Sequence, residues 1–272
     1  MTPNAADDPR ALMELAERVA REAGRLVVEQ RPRGLGVSDT KTTSTDIVTE
    51  MDTRSEQLIL DRLNAARPDD GFLGEEGGAR DGTSGVRWVV DPIDGTVNYL
   101  YEIPAYAVSI AASRDGRVVA GAVVNPAVGE VWTAARGHGA WLDGTALPAV
   151  AVPSLDLALL ATGFGYDPRR RARQAELLSA LLPRVRDVRR IGAASLDLCA
   201  VATGRVDGYY EQGLKPWDLA AGGLVAEEAG ARVTGLHGRA AGERLVVAGR
   251  EPLVGELLGL LESWDADSDP LA

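Results

Sequence analysis

Cysteine is almost absent from the 272-residue chain: Cys199 stands alone. That excludes an internal disulfide framework, and its place in the apolar stretch 196–201 reads as a small buried hydrophobe in a reducing, cytoplasmic setting. Histidine is nearly as scarce. His138 and His237 are the two present, both beside glycines in turn-like sequence, so zinc sites built on several histidines and serine-histidine triads lack material. No run of about 18 apolar residues occurs, so no segment is expected to span a membrane. The first ten residues, with Asp7 and Asp8 and no apolar run, lack the basic-then-hydrophobic order of a secretory signal. Positive charge is short as well: 29 Lys and Arg against 40 Asp and Glu leave a formal charge of -11, which argues against nucleic-acid binding, where cations must neutralise phosphates. Neither Lys41 nor Lys215 stands in a G-x-x-x-x-G-K-[ST] context, and Gly137-His138-Gly139 lacks the next glycine of a dinucleotide loop.

What is there is an ordinary globular composition, 45% hydrophobic and 25% charged, in a chain long enough for about two domains of roughly 150 residues. Apolar residues from Leu12 through Leu15, Ala16, Val19, Ala23, Leu26 and Val27 recur at three- and four-residue steps and predict a long helix ending near Arg31-Pro32. Residues 33–45 read as a loop, and Asp46 as the cap of a second helix through Ile59 and Leu63. Short runs at 87–90, 107–112, 118–124 and 130–134, separated by turns at Asp115-Gly116 and Val128-Gly129, predict an antiparallel sheet. Beyond Pro153 strands and helices alternate. Pro216 suits the first residue of a helix that Gly230 closes, a strand is expected at 244–248 and a helix at 251–264, and 265–272 read as a frayed acidic tail. The pattern change near residue 150 suggests two subdomains, 1–150 and 151–272.

Carboxylates carry the chemistry. They fall in three segments where strands or loops meet helix starts: Gly74-Glu75-Glu76-Gly77, Asp91-Pro92-Ile93-Asp94-Gly95-Thr96 and Trp217-Asp218-Leu219-Ala220-Ala221-Gly222. Alone, the first is most simply an exposed loop and the second an Asp-capped turn. In the second, however, Asp91 ends an apolar strand, Pro92 holds it extended and Asp94 returns beside it, so both carboxylates can face one ion. Gly95-Thr96 opens a helix whose free N–H groups suit a phosphate. Hard cations such as Mg²⁺ take such oxygen ligands, and phosphate-ester hydrolysis on metal ions needs neither histidine nor a covalent nucleophile.

With Val97-Asn98-Tyr99 completing the long motif, these three segments, in this order and spacing, resemble the inositol monophosphatase family of Mg²⁺-dependent, lithium-sensitive phosphatases, actinobacterial members most of all. The resemblance runs from the first helix to about Ala248. It implies a mixed αβ fold of alternating layers, αβαβα, with the active site between two subdomains, and a homodimer. Residue by residue, it implies Glu75, Asp91, the carbonyl of Ile93, Asp94 and Asp218 as ligands of two or three Mg²⁺ ions. Gly95 and Thr96 would hold phosphate through backbone amides, and Glu75 and Thr96 would orient the attacking water. Asp52 would sit behind Thr96 near a third metal, Lys41 on a loop over the site, and Glu211 with the Ala194 backbone against sugar hydroxyls. Where family members often carry Thr, this chain has Ala193. The substrate implied is a myo-inositol monophosphate, with fructose 1,6-bisphosphate, histidinol phosphate, NADP or an adenosine bisphosphate as alternative small phosphates. A different class, a binding protein in transcription antitermination, would use the basic run Arg169, Arg170, Arg171 and Arg173, which otherwise reads as a solvated helix face.

Overall fold

The computed structural model of the chain describes residues 7–32, 34–41 and 47–268. Helix α1, Pro9–Glu29, is capped by Asp8, which accepts from the Arg10 N–H at 3.3 Å, and has Pro9 in the first turn, where a missing N–H costs nothing. Its inward stripe, Leu12, Leu15, Ala16, Val19, Ala23 and Val27, is buried as the periodicity predicts. Strands β1, Asp39–Thr40, and β2, Ile47–Val48, form a short antiparallel pair before α2, Glu50–Ala66. Asp46 lies outside the described residues, and it is not the cap. Thr49 caps α2 in a reciprocal box with Asp52, because the chain is still extended at 47–48.

Eight strands form the first sheet: β3, Gly71–Gly74; β4, Ala79–Arg80; β5, Val86–Asp94; β6, Ala107–Arg114; β7, Arg117–Asn125; β8, Glu130–Ala135; β9, Gly139–Leu142; and β10, Thr145–Ala146, in the order β10-β9-β8-β7-β6-β5-β3-β4. The expectation of an antiparallel sheet needs one correction, since β3 and β5 are parallel. β4 folds back on the outer edge of β3, so the chain has reversed twice before β5 is laid down. β5 also does not stop at Asp91. It continues to Asp94 with its register against β6 shifting between the two aspartates, the kind of irregularity that lets a proline sit in a strand.

Past the five-residue helix α3, Thr96–Leu100, and a single helical turn at Leu155–Leu157, the second half supplies β11, Leu159–Thr162; α4, Pro168–Leu181; β12, Asp187–Arg189; α5, Ala194–Thr203; β13, Gly208–Glu211; α6, Pro216–Glu228; β14, Arg232–Thr234; β15, Val246–Gly249; and α7, Leu253–Ser263. The second sheet has the order β12-β11-β13-β15-β14. One face of the first sheet packs on α1 and α2 through Trp88, Val90, Ile110 and Val124. Its other face packs on α5 and α6 through Ala111, Val123 and Ala134. The far side of α5 and α6 meets the second sheet at Leu198, Val201 and Ala226, and α4 and α7 close that sheet from outside. The layers are therefore αβαβα. Helices covered on both sides must be apolar all round, which is why α5 and α6 show almost no amphipathic stripe.

Among the described residues, no helix is long and apolar enough to cross a membrane. The two histidines lie in exposed turns and Cys199 is buried. The tail differs from expectation: Ala266 and Asp267 are buried, with Asp267 paired to Arg239, while 269–272 fall outside the described residues. The basic run on α4 is only partly a solvated face. Arg171 lies over Tyr166 and donates to the Gly165 carbonyl, and Arg173 donates to the Trp264 carbonyl.

Candidate active site

The register shift in β5 turns Asp91 and Asp94 toward the N-terminal end of α6, where Asp218 occupies the third helical position. One carboxylate oxygen from each lies within 4.8 Å of the other two. Asp91 is 1% and Asp94 7% exposed. Each acid is also used locally: Asp91 accepts the Ile93 N–H at 3.1 Å in an Asx turn, and Asp218 accepts the Lys215 N–H at 2.6 Å. Asp94 reaches across the fold to accept the Ala194 N–H at 3.2 Å, the Ser195 N–H at 2.7 Å and the Ser195 hydroxyl at 2.5 Å.

Burial raises the pKa of all three. It is the largest cause for Asp91 and Asp218, whose acid neighbours push further the same way, and it lifts Asp94 to about 6 against the opposing bonds from Ser195. Two buried carboxylates and a third, half-buried one, all repelling one another, form a donor set a divalent cation would relieve, and all the ligand atoms are hard oxygens.

Behind this cluster Gly95 caps α3 with φ +88°, a left-handed conformation that side chains resist. A Cβ there would also come within about 3.1 Å of the Gly192 carbonyl and Ala193. Thr96 follows, its hydroxyl 3.1 Å from both Asp52 Oδ1 and the Ile93 carbonyl. Asp52 is pushed up to about 6, by burial first. On the open side, Lys41 Nζ lies 2.6 Å from both Glu75 and Glu76. Burial would lower this amine, but the two carboxylates hold it above its ordinary value.

A profile of the inositol monophosphatase family matches residues 8–265. The chain belongs to the inositol monophosphatase family. It is 48% identical to the inositol-1-monophosphatase SuhB of Mycobacterium tuberculosis, covering 95% of this chain and 96% of that protein. The solved structure titled Mycobacterium tuberculosis SuhB superposes with a TM-score of 0.81 at 46% identity, over 96% of this chain and all of that one. The Nus factor SuhB of Escherichia coli is 39% identical over 84% of this chain and 86% of its own length.

Set against the residues that the family resemblance singles out, the structure brings Asp91, Asp94 and Asp218 together and puts Thr96 on Asp52. Glu75 is near enough to add to the charge that Asp91 feels. Glu211, at the end of β13, accepts from the Tyr209 hydroxyl at 2.7 Å, and burial lifts it to about 7. Its carboxylate fills the space a Cβ on Gly163 would need. The Ala194 N–H already serves Asp94, a bond any sugar hydroxyl would have to share.

Sequence reasoning missed several supporting groups. Ser195 ties the α5 start to Asp94. Asn98 donates to the carbonyls of Ala105 at 2.7 Å and Ile191 at 2.9 Å, joining the long motif to the segment before Ala193. Glu56 grips the loop of Glu75. Its only sequence signal was an acid four residues after Asp52, on the same face of α2.

Proposed function

We propose that the chain is a Mg²⁺-dependent phosphomonoesterase that hydrolyses a myo-inositol monophosphate to inositol and phosphate. The observation that carries this reading is the convergence of Asp91, Asp94 and Asp218 within 4.8 Å beside the Thr96–Asp52 pair. These carboxylates, with Glu75 and the Ile93 carbonyl, would hold two or three ions. Bound Mg²⁺ supplies Lewis acidity toward the phosphate oxygens and a lowered pKa for the attacking water. Thr96 donates its single hydroxyl proton to Asp52 or to the Ile93 carbonyl, which leaves a lone pair to receive a hydrogen of that water, while Glu75 receives the other. The amides of Gly95 and Thr96 bind phosphate oxygens at the start of α3, and Lys41 adds a positive charge at the rim. Glu211 and the Ala194 backbone orient the sugar. Residues 1–150 and 151–272 act as subdomains on either side of the substrate, in a cytoplasmic homodimer inhibited by lithium.

The test is phosphate release from a panel of inositol, fructose, histidinol, nicotinamide-dinucleotide and adenosine phosphates, with and without Mg²⁺ and Li⁺. Preference for inositol monophosphate, abolished by chelation, is the expected result. Preference for another small phosphate would transfer the chemistry to that substrate. No metal-dependent hydrolysis of any would favour a second reading, binding in transcription antitermination, which draws on the 39% identity to a Nus factor. That role would weaken on reversing the charges of Arg169 and Arg171 while hydrolysis stayed unchanged.

A further inference from the structure

Glu56 lies one helical turn beyond Asp52 on α2, is 4% exposed, and is not among the ligands assigned above. Its two carboxylate oxygens accept the Glu76 N–H, at 2.9 Å, and the Gly77 N–H. Both donors belong to the loop that carries Glu75. The glycines of this loop leave room for the acid: a Cβ on Gly77 would come within 2.5 Å of Glu56 Oε1, and one on Gly74 would overlap the same carboxylate. Gly77 is not among the residues with positive φ, so what it provides is space rather than backbone freedom. From the opposite side Lys41 holds the side chains of Glu75 and Glu76. The loop backbone is therefore fixed by Glu56 and its acidic side chains by Lys41. Bonds to an ionised acceptor are roughly twice as strong as neutral ones, so a helix-mounted carboxylate taking two adjacent N–H groups makes a stiff clamp.

We infer that Glu56 is a positioning residue of the metal site: it clamps the 74–77 loop to α2 and so sets the Glu75 carboxylate beside Asp91, without itself touching metal or substrate. This rests on the proposed ligand role of Glu75. Outer groups that orient metal ligands typically contribute about 10- to 100-fold in affinity or activity.

The full-length chain is titrated calorimetrically with Mg²⁺ alone, with Glu75→Gln as reference. Glu56→Gln keeps the volume but turns an amide NH₂ toward one of the two N–H donors. It should weaken Mg²⁺ binding about 10- to 100-fold and raise by a similar factor the Mg²⁺ needed for half-maximal turnover. Gly77→Ala pushes the same carboxylate away from the loop side and should reproduce the effect. The double variant should be little worse than the more damaging single one, because both remove one contact. A lower melting temperature in Glu56→Gln with unchanged Mg²⁺ affinity would make the acid part of the scaffold and overturn the inference, leaving the metal reading intact if Glu75→Gln does bind more weakly. Unchanged affinity in Glu75→Gln would overturn both. Should Glu56→Gln fail to fold, Gly77→Ala, in an exposed position, decides alone, and wild-type Mg²⁺ affinity there defeats the proposal.

Discussion

Thr96 has two possible jobs, and its hydroxyl distinguishes them. A helix cap would accept from N–H groups one turn on, whereas this hydroxyl donates to Asp52 or the Ile93 carbonyl, and the capping position of α3 belongs to Gly95, which has no side chain. Thr96→Ala should therefore lower kcat about 10- to 100-fold with little change in KM, the pattern of an interaction realised in the transition state. Its melting temperature should stay near wild type; a drop in melting temperature with kcat intact would return the residue to a structural role. Glu211 poses the complementary question for the proposed sugar contact. Its carboxylate is anchored by Tyr209 and backed by Gly163, which leaves it aimed from the end of β13 rather than swinging in solvent. Hydrogen bonds to a charged acceptor are worth about 1.5 to 3 kcal/mol, so Glu211→Gln should reduce kcat/KM for inositol monophosphate by roughly 10- to 150-fold. An aryl phosphate without sugar hydroxyls should be hydrolysed almost normally by the same variant. Equal losses on both substrates would move Glu211 into the metal site or the scaffold.

Elements with many repeats of their own period were legible in the sequence. α1 shows the 3.6-residue stripe over about four turns, and β6, β7 and β8 are joined by short glycine turns that make them antiparallel neighbours. Elements defined by their partners were not. β3, Gly71–Gly74, and β14, Arg232–Thr234, are too short to show alternation and exist because a neighbouring strand receives them. The same division holds in the site. Asp91, Asp94 and Asp218 stand in motifs, whereas Glu56 accepts from backbone N–H groups 20 and 21 positions on, Asn98 of the long motif reaches the Ile191 carbonyl 93 positions away, and Ser195 donates to the Asp94 carboxylate 101 positions back, relations no local pattern encodes. The start of α5 illustrates the cost. Its capping residue, Ala193, offers no side-chain acceptor, and Asp94 serves the first N–H groups from across the fold. A local acceptor should add to this. Ala193→Ser, with backbone already extended at φ -145° and ψ 108°, should gain about 0.5 to 1 kcal/mol and raise the melting temperature by about 1–4 °C. Calorimetry with and without Mg²⁺ checks it, and a fall in melting temperature would show that the buried methyl site has no room for a hydroxyl.

Across the whole molecule, the site is where the fold stores its least comfortable charges, and this gives stability a pH dependence of unusual sign. Asp52 and Asp94 are lifted to about 6, and Asp91 and Asp218 well above their ordinary range, burial being the leading cause in each. In the unfolded chain the same groups return to about 3.9. Between roughly pH 4 and 7, the upper end set by Glu211, which burial lifts to about 7, the folded chain thus binds more protons than the unfolded one, and by linkage its stability falls as pH rises through that window. The acids with lowered pKa, Glu22, Glu130, Asp167 and Asp187, each beside an arginine, act oppositely, but below their ordinary pKa of about 4. After chelation, the melting temperature should therefore decline from pH 5 to 7.5. Mg²⁺ competes with protons for these carboxylates, so its stabilisation should grow over the same interval. At 100 times its Kd it contributes about 2.7 kcal/mol, or roughly 5–11 °C for a chain of this size. Asp218→Asn removes one of the repelling charges and should flatten both trends. A chelated protein whose melting temperature climbs steadily from pH 5 to 7.5, with a Mg²⁺ shift independent of pH, would show that the buried acids are not the seat of the metal.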